Sequence, residues 1–391
     1  MFSRDEGAKF VRTEIFDSNR KFFAALGLGI ALRFVMMALG NTYDFESYCI
    51  VGEIVNSGGN VYAATSRYNY APIFFMILGI FHQVALCFAN SRFVYRILIV
   101  GLLTCADLSI AKFVSQKSGR FWGIVFFLNP VSLIVTGYHN QFDNIAIAMA
   151  LWGIFCLEKV CSEREVTFYD FVGVALLSCS LATKHVFFAF PIWILFNKHI
   201  VSNKKLIYAF VPPLIFLMSF APYVIDGWDG ILHNVFLYAS NNNFPLLFAN
   251  LIGYFRSIPE YISRYFTSIF FVFMIVAGYV FRTETLARSI LVYTIALVCF
   301  SSAIGLQYIA IPCAALVIFF GRNSFLYYVA GVSLYVCGFL ESRFNFPLKG
   351  VTQSRMNSIE LVYVIIAWIL LYYLALILIR RNNSHDASFS Q

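Results

Sequence analysis

Apolar runs recur along this chain from residue 22 to residue 380, many of them close to the roughly 20 residues that carry a helix across a bilayer. The candidate spans are 22–40, 71–89, 94–113, 121–138, 142–158, 169–197, 205–225, 265–281, 286–304, 306–321, 324–340 and 358–380. Short alternating segments of the barrel kind are missing. Hydrophobic residues make up 60% of the 391 and charged residues 12%, about half the charged share of a soluble domain. The expectation is an all-α polytopic membrane protein with about 11–13 transmembrane helices.

The net charge of +8 does not point to nucleic acid, because the basic residues lie between the apolar runs and read as topology signals. Arg4, Lys9, Arg12, Arg20 and Lys21 precede the first run, which puts the segment 1–21 in the cytoplasm and the loop 41–70 on the far side. Two basic loops, Arg92/Arg96 and Lys112/Lys117/Arg120, flank one span and cannot both be cytoplasmic. A short or re-entrant segment between 94 and 138 is the expected resolution. Most of the nine cysteines lie in apolar runs, and no CxxC pair suggests a metal or disulfide framework. The chain divides into a transmembrane module over 22–225, a long loop at 226–262, a second module over 263–380 and a polar, disordered tail at 381–391.

The loop after the first span holds "YDFESYCIVGEIV", residues 43–55. Asn41 or Thr42 caps a helix there, with Asp44 in a capping-box-like position. Tyr48, Val51, Ile54 and Val55 follow at helical spacing, so the element reads as an amphipathic helix on the membrane surface. Asp44 is either a helix-start carboxylate favoured by the macrodipole or a general base at the lipid–water boundary.

Three further clusters are polar where the chain is otherwise apolar. "LNPVSLIVTGYHNQFDN" (128–144) carries His139, Asn140, Gln141 and Asp143, which line a wet cavity or cap a helix. "LATKHVFFAFPIWILF" sets Lys184 and His185 in mid-run, where a lysine costs about 2.5–3.5 kcal/mol and faces a cavity or a partner. An internal ion pair with Asp107 is the plain alternative. "GLQYIAIPCAAL" (305–316) offers Gln307 and Tyr308, as cavity lining or as helix packing.

"DFESYCIVGEIV", then "VY", then "YNYAP" opening a helix, resembles the first luminal loop of the GT-C superfamily of glycosyltransferases, in particular those that glucosylate lipid-linked oligosaccharide. Asp44, Glu46, Glu53, Tyr62 and Pro72 fall on that pattern, with Ala71 where one of two prolines is expected. The 128–144 cluster and the Lys184-His185 stretch are similar to motifs of the same enzymes, and 305–316 to a segment of GPI-type and bacterial mannosyltransferases, although Leu306 replaces a proline. The resemblance implies a GT-C fold with its active site on the luminal or extracytoplasmic side of the endoplasmic reticulum or a prokaryotic plasma membrane. It implies inverting transfer of a hexose, glucose or mannose, from a polyprenyl- or dolichyl-phosphate donor to a lipid-linked glycan, glycolipid or protein. Asp44 is then the base, assisted by Glu46; Lys184, His185 and Arg67 bind the donor phosphate; His139, Gln141, Asp143, Gln307 and Tyr308 line the sugar site. No metal or cofactor is expected, and the chain is expected to work as a monomer among membrane lipids.

No P-loop or dinucleotide fingerprint occurs, which favours a membrane-delivered donor over a nucleotide sugar. The rival expectation is a transporter or flippase with a path through Lys184, Asp107 and Asp143. It lacks the internal repeats and paired broken helices of that class.

Overall fold

The computed structural model describes residues 19–237, 266–301, 305–344 and 358–389, and all regular structure among them is helical. Helix α1 (Asn19–Leu39) leads into a surface helix, α2 (Tyr43–Asn56), a single turn, α3 (Val61–Ala64), then α4 (Pro72–Leu86) and α5 (Ser91–Ser118). Helices α6 (Arg120–Phe127) and α7 (Pro130–Ile134) run on into a π-helical turn, Val135–His139. The next elements are α8 (Asp143–Val160), α9 (Phe168–Thr183), α10 (Phe190–Phe196), α11 (Ser202–Met218) and α12 (Val224–Ile231). Helices α13 (Phe266–Val280), α14 (Leu286–Phe300), α15 (Cys313–Phe320), α16 (Phe325–Phe344) and α17 (Ser358–Phe389) complete the described chain.

Four helical stretches among the described residues are long and apolar enough to cross a membrane, and the bent pair Arg120–Phe127 with Pro130–His139 makes a fifth. Five further apolar helices have 10–17 residues. Several apolar runs bend or change helix type for local reasons. Run 121–138 bends by 45°, because Pro130 drives the residue before it out of helical backbone. Asn129 then caps the new helix, its side-chain oxygen accepting from the Ser132 N–H at 2.8 Å. Run 169–197 breaks at Lys184, whose backbone is extended (φ −151°, ψ 129°), before a 3₁₀ turn at His185–Phe187. Run 306–321 likewise opens as a 3₁₀ turn, Leu306–Ala310.

The two basic loops do not require a re-entrant segment. Helix α5 has 28 residues, about 42 Å at 1.5 Å per residue, long and apolar enough to cross a bilayer fully. The bent stretch 120–139 runs beside α1 in the same direction. Arg120 Nη1 donates to Asn19 Oδ1 (2.9 Å), Arg33 Nη2 to Ser132 Oγ (2.9 Å) and Thr42 Oγ1 to the His139 carbonyl (3.3 Å). Residues 138–144 therefore share an end of the bundle with Asp44, and so do Arg92 and Arg96. The charge pattern breaks at those two arginines, and within the region where a short or re-entrant segment is expected lies the bent pair of short helices Arg120–Phe127 and Pro130–His139.

Two local expectations are also corrected. Thr42 precedes α2 in extended conformation without capping it, and Asn41 Nδ2 donates to Glu46 Oε1 (3.2 Å), so no capping box forms with Asp44. Helix α17 continues to Phe389, so 381–389 is helical where the polar composition suggested none. The α2 helix itself is amphipathic, with Phe45, Tyr48 and Val51 buried and Tyr43 and Glu53 exposed. Of the expected long loop 226–262, the described part continues α12 into a π-helical turn, Leu232–Phe236, and residues 238–262 lie outside the described residues.

Candidate functional site

The site is built where α8 begins and α9 ends. Asn140 adopts left-handed backbone (φ 59°), which asparagine tolerates better than most residues. Its amide donates to the Thr136 (3.1 Å) and Gly137 (2.9 Å) carbonyls, closing the π turn and redirecting the chain into α8. Helices α8 and α9 then pack antiparallel at a glycine pair. A Cβ on Gly153 would stand 2.9 Å from the Gly173 carbonyl oxygen, and one on Gly173 2.8 Å from that of Gly153. Such close approach needs small residues. Ser180 Oγ donates to the Ala146 carbonyl (2.7 Å), about two turns nearer the site.

This register brings Asp143, in the first turn of α8, against Lys184, the residue that ends α9. Lys184 Nζ lies 2.7 Å from Asp143 Oδ2 and donates to Gln141 Oε1 at 3.3 Å. Each charge also meets the favourable end of a helix dipole. The ammonium is within cation–π range of Tyr70 (4.8 Å), Phe142 (4.8 Å) and Tyr308 (5.6 Å). Lys184 and Asp143 are 2% and 1% exposed, so the pair is fully removed from solvent.

Beside it is a cavity of about 140 Å³. Tyr70, Asp143, Lys184, His185, Ser301 and Tyr308 supply its polar wall, and Val186, Phe188, Leu297, Val298 and Ile311 its apolar one. Asp143 Oδ1 and His185 Nδ1 are buried yet make no hydrogen bond within the protein. Leaving such a group unsatisfied costs about 1–3 kcal/mol, so the cavity is suited to a ligand that carries hydrogen-bond donors.

Asp107 is not the partner of Lys184. It pairs with Arg33 at 2.8 Å and accepts from Ser132 Oγ (3.0 Å), Thr136 Oγ1 (2.7 Å) and Asn144 Nδ2 (2.9 Å). A space of about 20 Å³ separates this network from Asp143, enough for one water-sized sphere. The Arg33 network was legible from one residue, an arginine in the middle of run 22–40, that the motif reading passed over. A third buried pair, Lys204 Nζ to Asp170 Oδ2 at 2.9 Å, lies toward the opposite end of α9, where Lys204 also reaches the Val160 carbonyl.

The remaining candidates divide. Asp44 does not line the cavity beside Lys184. It accepts from Thr42 Oγ1 (3.3 Å) and lies one helical turn before Tyr48, whose ring packs edge-on against Phe142 at 6.1 Å. Burial pushes the Tyr48 phenol well above its ordinary value, and the charges of Asp44 and Asp143 both add to this. Tyr48 thus stands in the field of the two carboxylates. Glu46 faces outward and pairs with Arg92. Arg67 is not joined to Lys184 or His185; it lies 3.8 Å over the Tyr43 ring and donates from Nε to the Tyr43 hydroxyl (2.7 Å). The His139 ring sits between Tyr138 and Tyr335, and the Gln307 side chain folds over Gly305, neither of them lining the cavity. Among the described residues no group of three or more His, Cys, Asp or Glu side chains is arranged to hold a metal ion. Compared with protein-family models, with curated proteins and with solved structures, the chain shows no match.

Proposed function

We propose that this chain is an integral membrane hexosyltransferase of the GT-C type, taking its sugar from a polyprenyl-phosphate donor. The observation that carries the reading is the cavity beside Lys184, which offers one cation together with the unpartnered Asp143 Oδ1 and His185 Nδ1, the latter an acceptor when the imidazole is protonated at Nε2. A hexosyl phosphate is complementary to that set: hydroxyl groups donate to the two acceptors, and a phosphate oxygen accepts from the ammonium. Two of the three Lys184 donors are engaged by Asp143 and Gln141, which leaves one for the ligand. The four long helices, the bent pair and the five shorter apolar helices make ten candidate traverses among the described residues, against the 11–13 expected, with the Asp44 end taken as extracytoplasmic.

In this reading an acceptor hydroxyl attacks the anomeric carbon from the face opposite the phosphate. The bond from that carbon to the phosphate oxygen breaks, and its electron pair leaves with the polyprenyl phosphate. The hydroxyl proton passes to Asp44, which is half-buried at the same end of the bundle but outside the cavity lining, so the acceptor hydroxyl has to sit between the two. Lys184 stabilises the charge that develops on the departing oxygen. Because Arg67 is held on Tyr43, the donor phosphate is assigned to Lys184, and His185 faces the sugar hydroxyls. Glu46, paired with Arg92, holds the start of α2 rather than the proton. The test is incubation of the purified chain with a panel of labelled polyprenyl-phosphate sugars, following release of polyprenyl phosphate. Donor-dependent release is expected. No release from any donor, with substrate flux in proteoliposomes instead, would support the rival transporter, which the adjacency of the Lys184–Asp143 and Arg33–Asp107 pairs favours.

A further inference from the structure

Three arginines converge on the first turn of α2, at the end of the bundle opposite the basic N-terminal segment, where the charge rule expects few cations. Arg96 is committed to the fold: its guanidinium donates to Asn140 Oδ1 (3.1 Å) and to the Gly40 carbonyl, tying α5 to both chain turns at the site. The other two are not so engaged. Arg92 has a side chain 60% exposed, and its one named bond is to Glu46, itself 42% exposed. Arg67 uses Nε on Tyr43 and lies flat over that ring. Tyr43 and Glu46 are three residues apart on α2, so they share a helix face and bring the two guanidinium groups to one side of it.

We propose that Arg92 and Arg67 form a binding site for a phosphate group at the membrane surface, separate from the cavity beside Lys184. The shared ligand chemistry is a phosphate monoester or diphosphate, carried by a lipid headgroup or free in solution. Several observations favour it over a solvated face. Stacking on Tyr43 pre-orients Arg67, which lowers the entropy lost when its planar donor fork binds an anion. Arg92 stands at the start of the 28-residue α5, whose dipole also favours an anion there. Each guanidinium carries five N–H donors, and the bonds named above use a minority of them. Of the three cations, Arg92 alone forms an ion pair with a carboxylate among the described residues, so the cluster keeps an excess of positive charge. Glu46 acts as the resting occupant of Arg92, and an arriving phosphate replaces it. This site does not depend on sugar transfer.

The test reads the two arginines directly. The full chain in phosphatidylcholine nanodiscs is treated with phenylglyoxal, an arginine-specific reagent, and modification at each arginine is followed by peptide mass spectrometry. Farnesyl phosphate and, separately, inorganic phosphate are titrated in. Saturable protection of Arg67 and Arg92 with one common midpoint is expected. Arg92→Gln should weaken protection of Arg67 by about tenfold. Glu46→Gln, which removes the competing carboxylate, should lower the midpoint about two- to fivefold, a gain that misfolding cannot imitate. A lower midpoint for farnesyl phosphate identifies a lipid headgroup, and equal midpoints a free anion. Modification rates indifferent to both probes, or Arg67 protected equally in Arg92→Gln, would overturn the proposal. Neither readout involves Lys184 or a sugar, so failure of the transferase reading leaves this result standing.

Discussion

Lys184 and Asp143 meet at 2.7 Å where two antiparallel helices break at the same level of the bundle. Neither residue is reached by solvent, and both border a cavity in which buried polar atoms lack a partner. A buried pair of this kind is poor at stabilising a fold relative to apolar side chains of equal volume, yet removing one member is costly. Its retention beside a cavity is easiest to understand if the ammonium serves a ligand.

That asymmetry gives a stability prediction. Lys184→Met alone leaves the Asp143 carboxylate buried without its counter-charge and should cost about 3–5 kcal/mol. Lys184→Met with Asp143→Leu should recover most of that loss while abolishing donor binding. Thermal unfolding in detergent checks it, and a single variant as stable as the double would contradict the pairing.

The glycine contact between α8 and α9 sets the register of the pair. Gly173→Val adds carbon against the Gly153 carbonyl and Leu157, where a Cβ alone would stand within 2.8 Å and 2.5 Å of existing atoms. The helices must separate, at about 1–3 kcal/mol. Donor binding should fall as well, because Asp143 and Lys184 lose alignment. Equilibrium unfolding and a donor-binding titration on one preparation measure both effects.

Cys49 lies on α2 near the outer arginines. Burial pushes its thiol up to about 11; the Arg92 charge opposes this and that of Glu46 adds to it. Its thiolate fraction should therefore stay small at pH 7.5 and rise tenfold per pH unit toward pH 11. Maleimide labelling should be slow at neutral pH, while the exposed Cys87 reacts readily. Equal labelling of the two at pH 7.5 would show that α2 is not packed as described.

The helical class and most helix positions follow from apolar run length alone, because lipid leaves the backbone no other bonding partner. Run length does not show where a span breaks. The breaks at Asn129 and Lys184 depend on Pro130 and on side chains recruited from distant helices. For the same reason Asp143 and Lys184 were each recognisable as intramembrane polar residues, but not as partners. The alternative pairing of Asp107 with Lys184 fails because Arg33, in an otherwise apolar run, takes Asp107. Arg92 and Arg96 read as an inconsistency in topology; they lie at the Asp44 end because Glu46 and the carbonyls of Gly40 and Gly137 bind them there. His139 and Gln307 belong to polar motifs, yet their side chains are taken up by neighbouring rings and backbone, which no local spacing reveals.

The most direct test of the transferase reading compares initial rates of sugar transfer from a polyprenyl-phosphate donor by the unaltered chain and by Asp44→Asn. The substitution keeps the side chain's shape and removes its ability to take a proton. A fall of about 10²- to 10⁴-fold in rate, with donor affinity unchanged, is the expected result. Equal rates from the two proteins would remove the carboxylate from the chemistry and the central claim with it.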